Sequence, residues 1–470
     1  MCKFHFLAVN RCKGYMLTRR CRNIPLVLSI WFSNNAGKNS DKHLMSTLPY
    51  HFNKRIAIAV IVGNTLAWAD FALYAYFSPI LSSVFFPFTN NATAYILYFI
   101  IFALAFLFRP IGSAIAGSFA DRHGRKNTLL ATVIITSVIT ALIGFLPSYN
   151  AIGFLSPFLL AVLRILQTMA VSAEPTNSGS LLIEYSAPEK KGFITSCVMV
   201  GIFLGFFLGI FSFLLISYYF TATQINIWGW RIPFIGSLLI GALVAWFLMG
   251  TKESPIFLQK KAEAKLTKNP LRESFKHYKK GMFFAFGYSL MMAVANYFLL
   301  GFIPNFLTQI LGLSLKVSNL LITLSLFFTV ILIPFMGYLS DKVGRRPVIA
   351  AGAVGFIVFS YPMLWMIVSG KLLLAMLALI IYGVLLAPVA AVVSAAIAEM
   401  FPFAVRCTAS TVGYNLALTI FGGTTPIIAE SLVTSTHDMY SPFWFISIIA
   451  LIHLLFVFFS KETKDRDVAI

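Results

Sequence analysis

Charge is what this chain has least of. Only 11% of its 470 residues are Asp, Glu, Lys or Arg, and the 16 acids are outnumbered by 36 bases. A soluble domain is about a quarter charged, so no soluble surface can be built from this inventory. Cysteine is nearly as sparse. Cys2, Cys12 and Cys21 lie near the amino end, Cys197 and Cys407 fall at or near expected helix starts, and no CxxC pair occurs. Nothing in that spacing supports a metal centre. A GxxxxGK[ST] phosphate loop is also missing, which removes the motor of nucleotide-driven transport and leaves no cofactor to expect. An enzyme is not the expected reading.

Apolar length is abundant. Hydrophobic residues make up 59% of the chain, Phe alone 47 of them, and mean hydropathy is +0.84. The charges gather in short clusters between apolar runs of about 18–25 residues, the length of helix that crosses a bilayer. Twelve spans are expected, at about 56–80, 92–118, 128–146, 152–175, 192–219 and 231–249, then 281–305, 317–338, 348–368, 372–397, 406–434 and 442–459. The net charge of +20 is no nucleic-acid signature, because the bases sit in the connections. Ten Lys and Arg precede Ile56, nine lie between Lys252 and Lys280, and most others follow even-numbered spans. Positive charge concentrates on the cytoplasmic side of a membrane protein, so both termini and the 250–280 linker are expected there. The domains are then a basic extension (1–55), a six-helix bundle (56–249), the linker (250–280), a second bundle (281–459) and a tail (460–470). Within the extension, residues 1–44 read either as a targeting peptide or as untranslated, since MSTLPYHFNKR from Met45 is a conventional cytoplasmic lead-in.

Two stretches repeat. GSFADRHGRK at 117–126 is matched by GYLSDKVGRR at 337–346, with Gly117, Asp121, Gly124 and Arg125 set 220 residues before Gly337, Asp341, Gly344 and Arg345. A second echo places a base seven residues after an acid, in Glu184–Lys191 and Glu399–Arg406. Duplicated six-helix units are the architecture of secondary transporters. The glycines permit close helix approach and a tight turn. Anchoring a loop needs no acid, so Asp121 and Asp341 read as gate residues. Asp121 can pair with Arg122 or Arg125, or face the positive amino end of another helix.

Ionisable residues inside spans are costly and mark function. Asp70, Arg109, Arg164 and Glu174 qualify, all in the first half. Arg164, Gln167, Val171 and Glu174 are spaced to share one helix face, and Asp70, with Tyr74 one turn on, is the acid of the first span. Arg109 precedes Pro110 and reads as structural. The second half offers neutral hydrogen-bonders instead: Asn296, Tyr297, Tyr382, Tyr414 and Asn415. The expected division of labour has the first half handling protons and the second helping to hold substrate.

The repeated loop resembles the signature of the major facilitator superfamily. WADFALYAYFSPILSSVFFP (68–87), RPIG (109–112), RILQ (164–167), WGWRIPF (228–234), KESPIF (252–257) and the run from Ala398 to Pro426 resemble its metabolite:proton symporter family. The resemblance implies an all-α fold of twelve membrane helices in two pseudo-repeats. It implies proton-coupled uptake of a proline- or betaine-type solute, or of an organic acid, by alternating access across a bacterial inner membrane, the work of a single copy of the chain in its lipid bilayer, with no nucleic-acid partner. Asp70 then matches a family acid implicated in coupling or substrate binding, although Ala67 stands where the family carries Glu. Arg164 and Gln167 match an R-x-x-Q-G segment in which Thr168 replaces the Gly, and Glu174 matches the acid of the following G-G-E. An uncoupled facilitator, a proton-driven exporter and a transport-dead sensor are the alternatives.

Overall fold

The computed structural model of the chain describes residues 54–89, 91–464 and Arg466; the expectations for 1–44 lie outside the described residues. Lipid offers no hydrogen bonds, so a spanning segment must satisfy its backbone internally. The described chain accordingly folds as helices: α1 Lys54–Tyr76, α2 Ile96–His123, α3 Arg125–Phe145, α4 Leu155–Glu184, α5 Pro188–Tyr219 and α6 Arg231–Met249. Then come α7 Lys279–Ile310, α8 Leu315–Val343, α9 Arg345–Val368, α10 Leu372–Glu399, α11 Phe403–Thr436 and α12 Pro442–Phe459. Every expected span is present, most with ends displaced by up to about five residues, while α4 runs on from the expected 175 to Glu184. The linker is not featureless. It carries short helices at Pro255–Ala262 and Pro270–His277, and α7 begins inside its expected bounds.

In the first six helices α5 packs along α1 and α6 along α3; in the last six, α8 and α9 flank α10, and α7 lies on α11. Gly201, Gly205 and Gly209 make the first of these possible. A Cβ on Gly201 would stand 2.5 Å from the Ile61 carbonyl and one on Gly205 2.6 Å from that of Thr65, so the stripe brings two backbones together as small residues do in membranes. The halves meet through α2 with α11, α5 with α8, and α4 with α10. Large apolar side chains such as Phe154, Leu239 and Trp246 are exposed on the outer faces, as a lipid solvent permits.

Four helices at the junction are discontinuous. In α2 the helix stops at Leu107 and resumes at Arg109. Pro110 has no N–H to give back, and the Phe106 carbonyl instead accepts the Thr419 hydroxyl of α11 at 3.2 Å. In α4 the break falls at Ser172–Ala173, ahead of Pro175. α7 and α11 relax into π turns at Phe298–Phe302 and Leu418–Gly422. Such irregularities gather at functional positions.

Candidate functional site

Each repeated loop meets the opposite half at the start of one of its helices. Gly124 and Gly344 have φ of 109° and 108°, a backbone that disfavours any side chain, and each lets the chain turn sharply into α3 or α9. Just before each turn, an acid reaches across to the other half. Asp121 accepts hydrogen bonds from the Cys407 and Thr408 amides at 3.1 and 2.8 Å, and from the Thr408 hydroxyl at 2.7 Å. Asp341 accepts from the Gly192 and Phe193 amides at 2.7 and 2.8 Å. In both cases these are amides of the first α-helical turn, which follows a short 3-10 turn and starts at Arg406 in α11 and at Lys191 in α5, and the positive end of such a segment favours a carboxylate. Gly117 and Gly337 make the crossing possible: a Cβ on Gly117 would lie 2.9 Å from Thr408 Cα, and one on Gly337 2.7 Å from the Gly192 carbonyl.

The arginines close the cluster. Arg125 bonds Glu184 at 3.1 Å, lies 3.4 Å from Asp121 and donates to the Phe403 carbonyl at 2.9 Å. Arg345 is 2.8 Å from Asp341 and 2.9 Å from Glu399. The second echo does not pair within itself. Glu184 meets Arg406, from the other half, at 3.1 Å, while the Lys191 ammonium donates to the Arg466 carbonyl at 2.8 Å. Arg122 takes no part: it is exposed, beside the turn rather than under it. Its side chain, one position on from Asp121, leaves the helix on the wet face.

A second cluster lies deep in the bundle. Asp70 of α1 and Arg164 of α4 form an ion pair at 2.9 Å, both fully enclosed. Arg164 also donates to Gln167 at 2.7 Å, whose amide donates to Thr140 at 2.6 Å, and its guanidinium lies over the Tyr74 ring at 3.8 Å. Asp70 Oδ1 and Arg164 Nε and Nη2 have no partner. Glu174 does not join this group. It stands further along α4, past the break, and its Oε1 lies against Gly63 of α1, where Val133 and Val244 close in; neither carboxyl oxygen is bonded. Arg164 and Glu174 both face α1, Arg164 at Asp70 and Glu174 at Gly63, seven residues earlier.

The neutral residues of the second half separate too. Asn415 accepts from Arg109 Nε at 3.0 Å and donates to the Ser172 carbonyl at 2.7 Å. Tyr297 packs edge-on against Phe106 at 5.6 Å with its hydroxyl unbonded. Tyr414 is buried beside them, within electrostatic reach of Arg109. Asn296 is buried with its Oδ1 unpaired. Tyr382, by contrast, donates to the Ala295 carbonyl at 2.7 Å and stacks on Phe298, tying α10 to α7 within its own half. Tyr74 belongs with Arg164, stacked on Tyr98 at 4.1 Å. No group of three or more His, Cys, Asp or Glu suited to a metal occurs among the described residues.

A family model described as "Sugar (and other) transporter" matches residues 56–469. The chain belongs to this transporter family of the major facilitator superfamily. It is a multi-pass membrane transporter and not an enzyme. The transporter is 32% identical over 422 residues to the glycine betaine/proline/ectoine/pipecolic acid transporter OusA of Dickeya dadantii, covering 88% of this chain and 84% of that one. To the proline/betaine transporter of Escherichia coli it is 30% identical with the same coverage. Among solved structures, the proton:xylose symporter XylE bound to 6-bromo-6-deoxy-D-glucose superposes with a TM-score of 0.74 at 19% identity, over 88% of this chain and 97% of that one. The resemblance drawn from the repeated loop is thus borne out, as is the twelve-helix fold.

Two acids of the transporter escaped the sequence reading. Glu253, past α6, accepts from the Lys126 and Asn127 amides at 3.0 and 3.3 Å. Glu462, past α12, accepts from the Arg345 and Arg346 amides at 2.9 and 3.1 Å. Each caps the helix that follows the Gly turn of its own half. The signal was present as a third echo: Lys252-Glu253 and Lys461-Glu462 both follow the last helix of a half. Partial burial pushes the Glu462 carboxyl up, but amide donors from Arg345, Arg346, Lys464 and Thr463 outweigh it and hold it below the usual carboxylate range. Tyr185, whose hydroxyl donates to the Lys252 carbonyl at 2.9 Å, is pushed up to about 12, by burial first and then by Glu253 and Glu184, so it remains a donor.

Proposed function

We propose that this transporter takes up a small polar metabolite together with protons, by alternating access, with its charged end and both termini in the cytoplasm of a bacterium and its helices in the inner membrane, acting as a monomer. The observation that carries the reading is the buried Asp70–Arg164 pair, whose remaining polar atoms are unsatisfied. Protonation of Asp70 would dissolve the ion pair and free Arg164, changing the charge of the bundle interior without any metal or nucleotide. Glu174, buried without a cation, is a second proton site, since a bare carboxylate among apolar atoms is far costlier than the neutral acid. Asp121 and Asp341 serve as the two latches of the cytoplasmic gate, with Arg125, Arg345, Arg406, Glu184 and Glu399 holding them. The substrate class follows the relatives whose names include proline and betaine; organic acids are the second class.

Uptake of a labelled solute panel into proteoliposomes, with and without an inward proton gradient, tests the reading. Accumulation is expected only with the gradient. Gradient-independent uptake would replace symport by facilitation, the outcome to which Ala67, standing where the family carries an acid, is relevant.

A further inference from the structure

We propose that Arg109 is the receptor for a carboxylate group of the transported solute. Arg109, Arg125, Arg164, Arg345 and Arg406 are all fully buried. Four of them have a carboxylate within 3.1 Å. Arg109 has no ion pair among the described residues. Its Nε is spent on Asn415, and both Nη groups are without a partner. A guanidinium cannot escape by losing its proton, and an uncompensated buried charge costs several kcal/mol. The rings of Trp68, Phe71 and Phe106 lie 5.2–5.6 Å away and supply only about 1 kcal/mol each. An anion supplied from outside the chain is what this site lacks.

The surroundings fit that anion. The Trp68 Nε1 and the Tyr297 hydroxyl are also unpaired, so donors dominate. The two Nη groups form the planar fork that grips a carboxylate through both oxygens. A polyol offers hydroxyls and would leave the cation uncompensated. The position is also right for coupling. Arg109 opens the second segment of α2 at its break and bonds to α11, so a solute held there touches both halves. Arg164, by contrast, already holds Asp70. The inference rests on the transport reading only for what moves the solute; binding can be tested alone.

Two pairs of solutes isolate the carboxylate: glycine betaine against choline, and proline against prolinamide. In detergent, quenching of tryptophan fluorescence reports binding near Trp68, and in proteoliposomes initial uptake reports transport. The wild type is expected to prefer the carboxylate member of each pair. Arg109→Gln raises the half-saturation concentration for the carboxylates about tenfold to a hundredfold, the loss of a charge-assisted bidentate contact, and removes the preference; Arg109→Lys falls between. Asn415→Asp supplies Arg109 with a carboxylate from within, so it is expected to melt at a higher temperature than the wild type while binding the carboxylates poorly, which keeps the test open even if Arg109→Gln fails to fold. Unchanged half-saturation in Arg109→Gln or Asn415→Asp, or equal acceptance of choline and prolinamide by the wild type, overturns the proposal. Carboxylate binding that depends on Arg109 without uptake of any of the four would sustain it and overturn the proposed uptake of this solute class instead.

Discussion

The charged end and the buried midplane are built from the same residue types and end in opposite conditions. At the charged end Arg125, Arg345 and Arg406 each hold a carboxylate, Asp121 and Asp341 bond helix amides, and Glu184 Oε2 is the one unpaired oxygen among these seven residues with Glu399. In the midplane, Arg109, Arg164, Asp70 and Glu174 all carry unpaired atoms. A satisfied cluster holds a conformation. An unsatisfied one has room for partners the chain does not contain, and on the reading proposed above these are a solute and protons. On that reading the difference separates the residues that set the state of the transporter from those that set its cargo.

The largest effect that would break this contrast is at Asp70. Asp70→Asn is expected to abolish gradient-driven accumulation while solute exchange continues, because the pair can no longer change charge; unchanged accumulation would remove Asp70 from coupling. Next comes the latch. Asp121→Asn weakens three bonds to α11, and at about 1.5–3 kcal/mol for charge-assisted bonds the closed state should lose about tenfold to a hundredfold in population. Cys407, fully buried beneath Asp121, then becomes labelled by a thiol reagent, and a labelling rate equal to wild type would remove the latch role. Gly337→Ala should open the gate less, since a Cβ 2.7 Å from the Gly192 carbonyl costs about 1–3 kcal/mol of overpacking; its readout is faster labelling of Cys197.

The smallest effect is within one half. Glu462→Gln should lower the melting temperature at neutral pH by the value of a helix cap, about 1 kcal/mol, with little change in transport. The Glu462 carboxyl is held below its unfolded value, so its contribution is full above the ordinary carboxylate range and is lost as pH falls through the lowered value. Wild type and variant should therefore converge in acid; a gap that persists there would mean the carboxylate charge is not what caps α9.

Much of this was legible in the sequence. Twelve spans, two halves and the positions of the latch followed from hydropathy and from the 220-residue repeat, because bilayer thickness and duplication both write periodic signals. Asp121 facing a helix end was among the alternatives, but which helix was not, since α11 lies 286 residues away from it in the bond to Cys407. Partner choice across the halves is tertiary information, which is also why Glu184 was not tied to Arg406. Arg109 reads as structural in the sequence because Pro110 argues for a kink, and a kink reads as structure. Only the packing reveals that four buried arginines have acids and that this one does not. Glu174 faces α1 as Arg164 does, but at Gly63 rather than at Asp70, a difference in height that helical spacing alone does not reveal.

The linker carries one more consequence. The chain passes between the halves once, through a segment whose residues Lys260–Lys265 are mostly exposed, while the halves recognise one another through an acid on each that fits a helix end on the other. Covalent continuity is then a convenience. Residues 54–262 and 265–466 made as separate polypeptides should find each other in the membrane and reassemble, each half carrying the key to its counterpart.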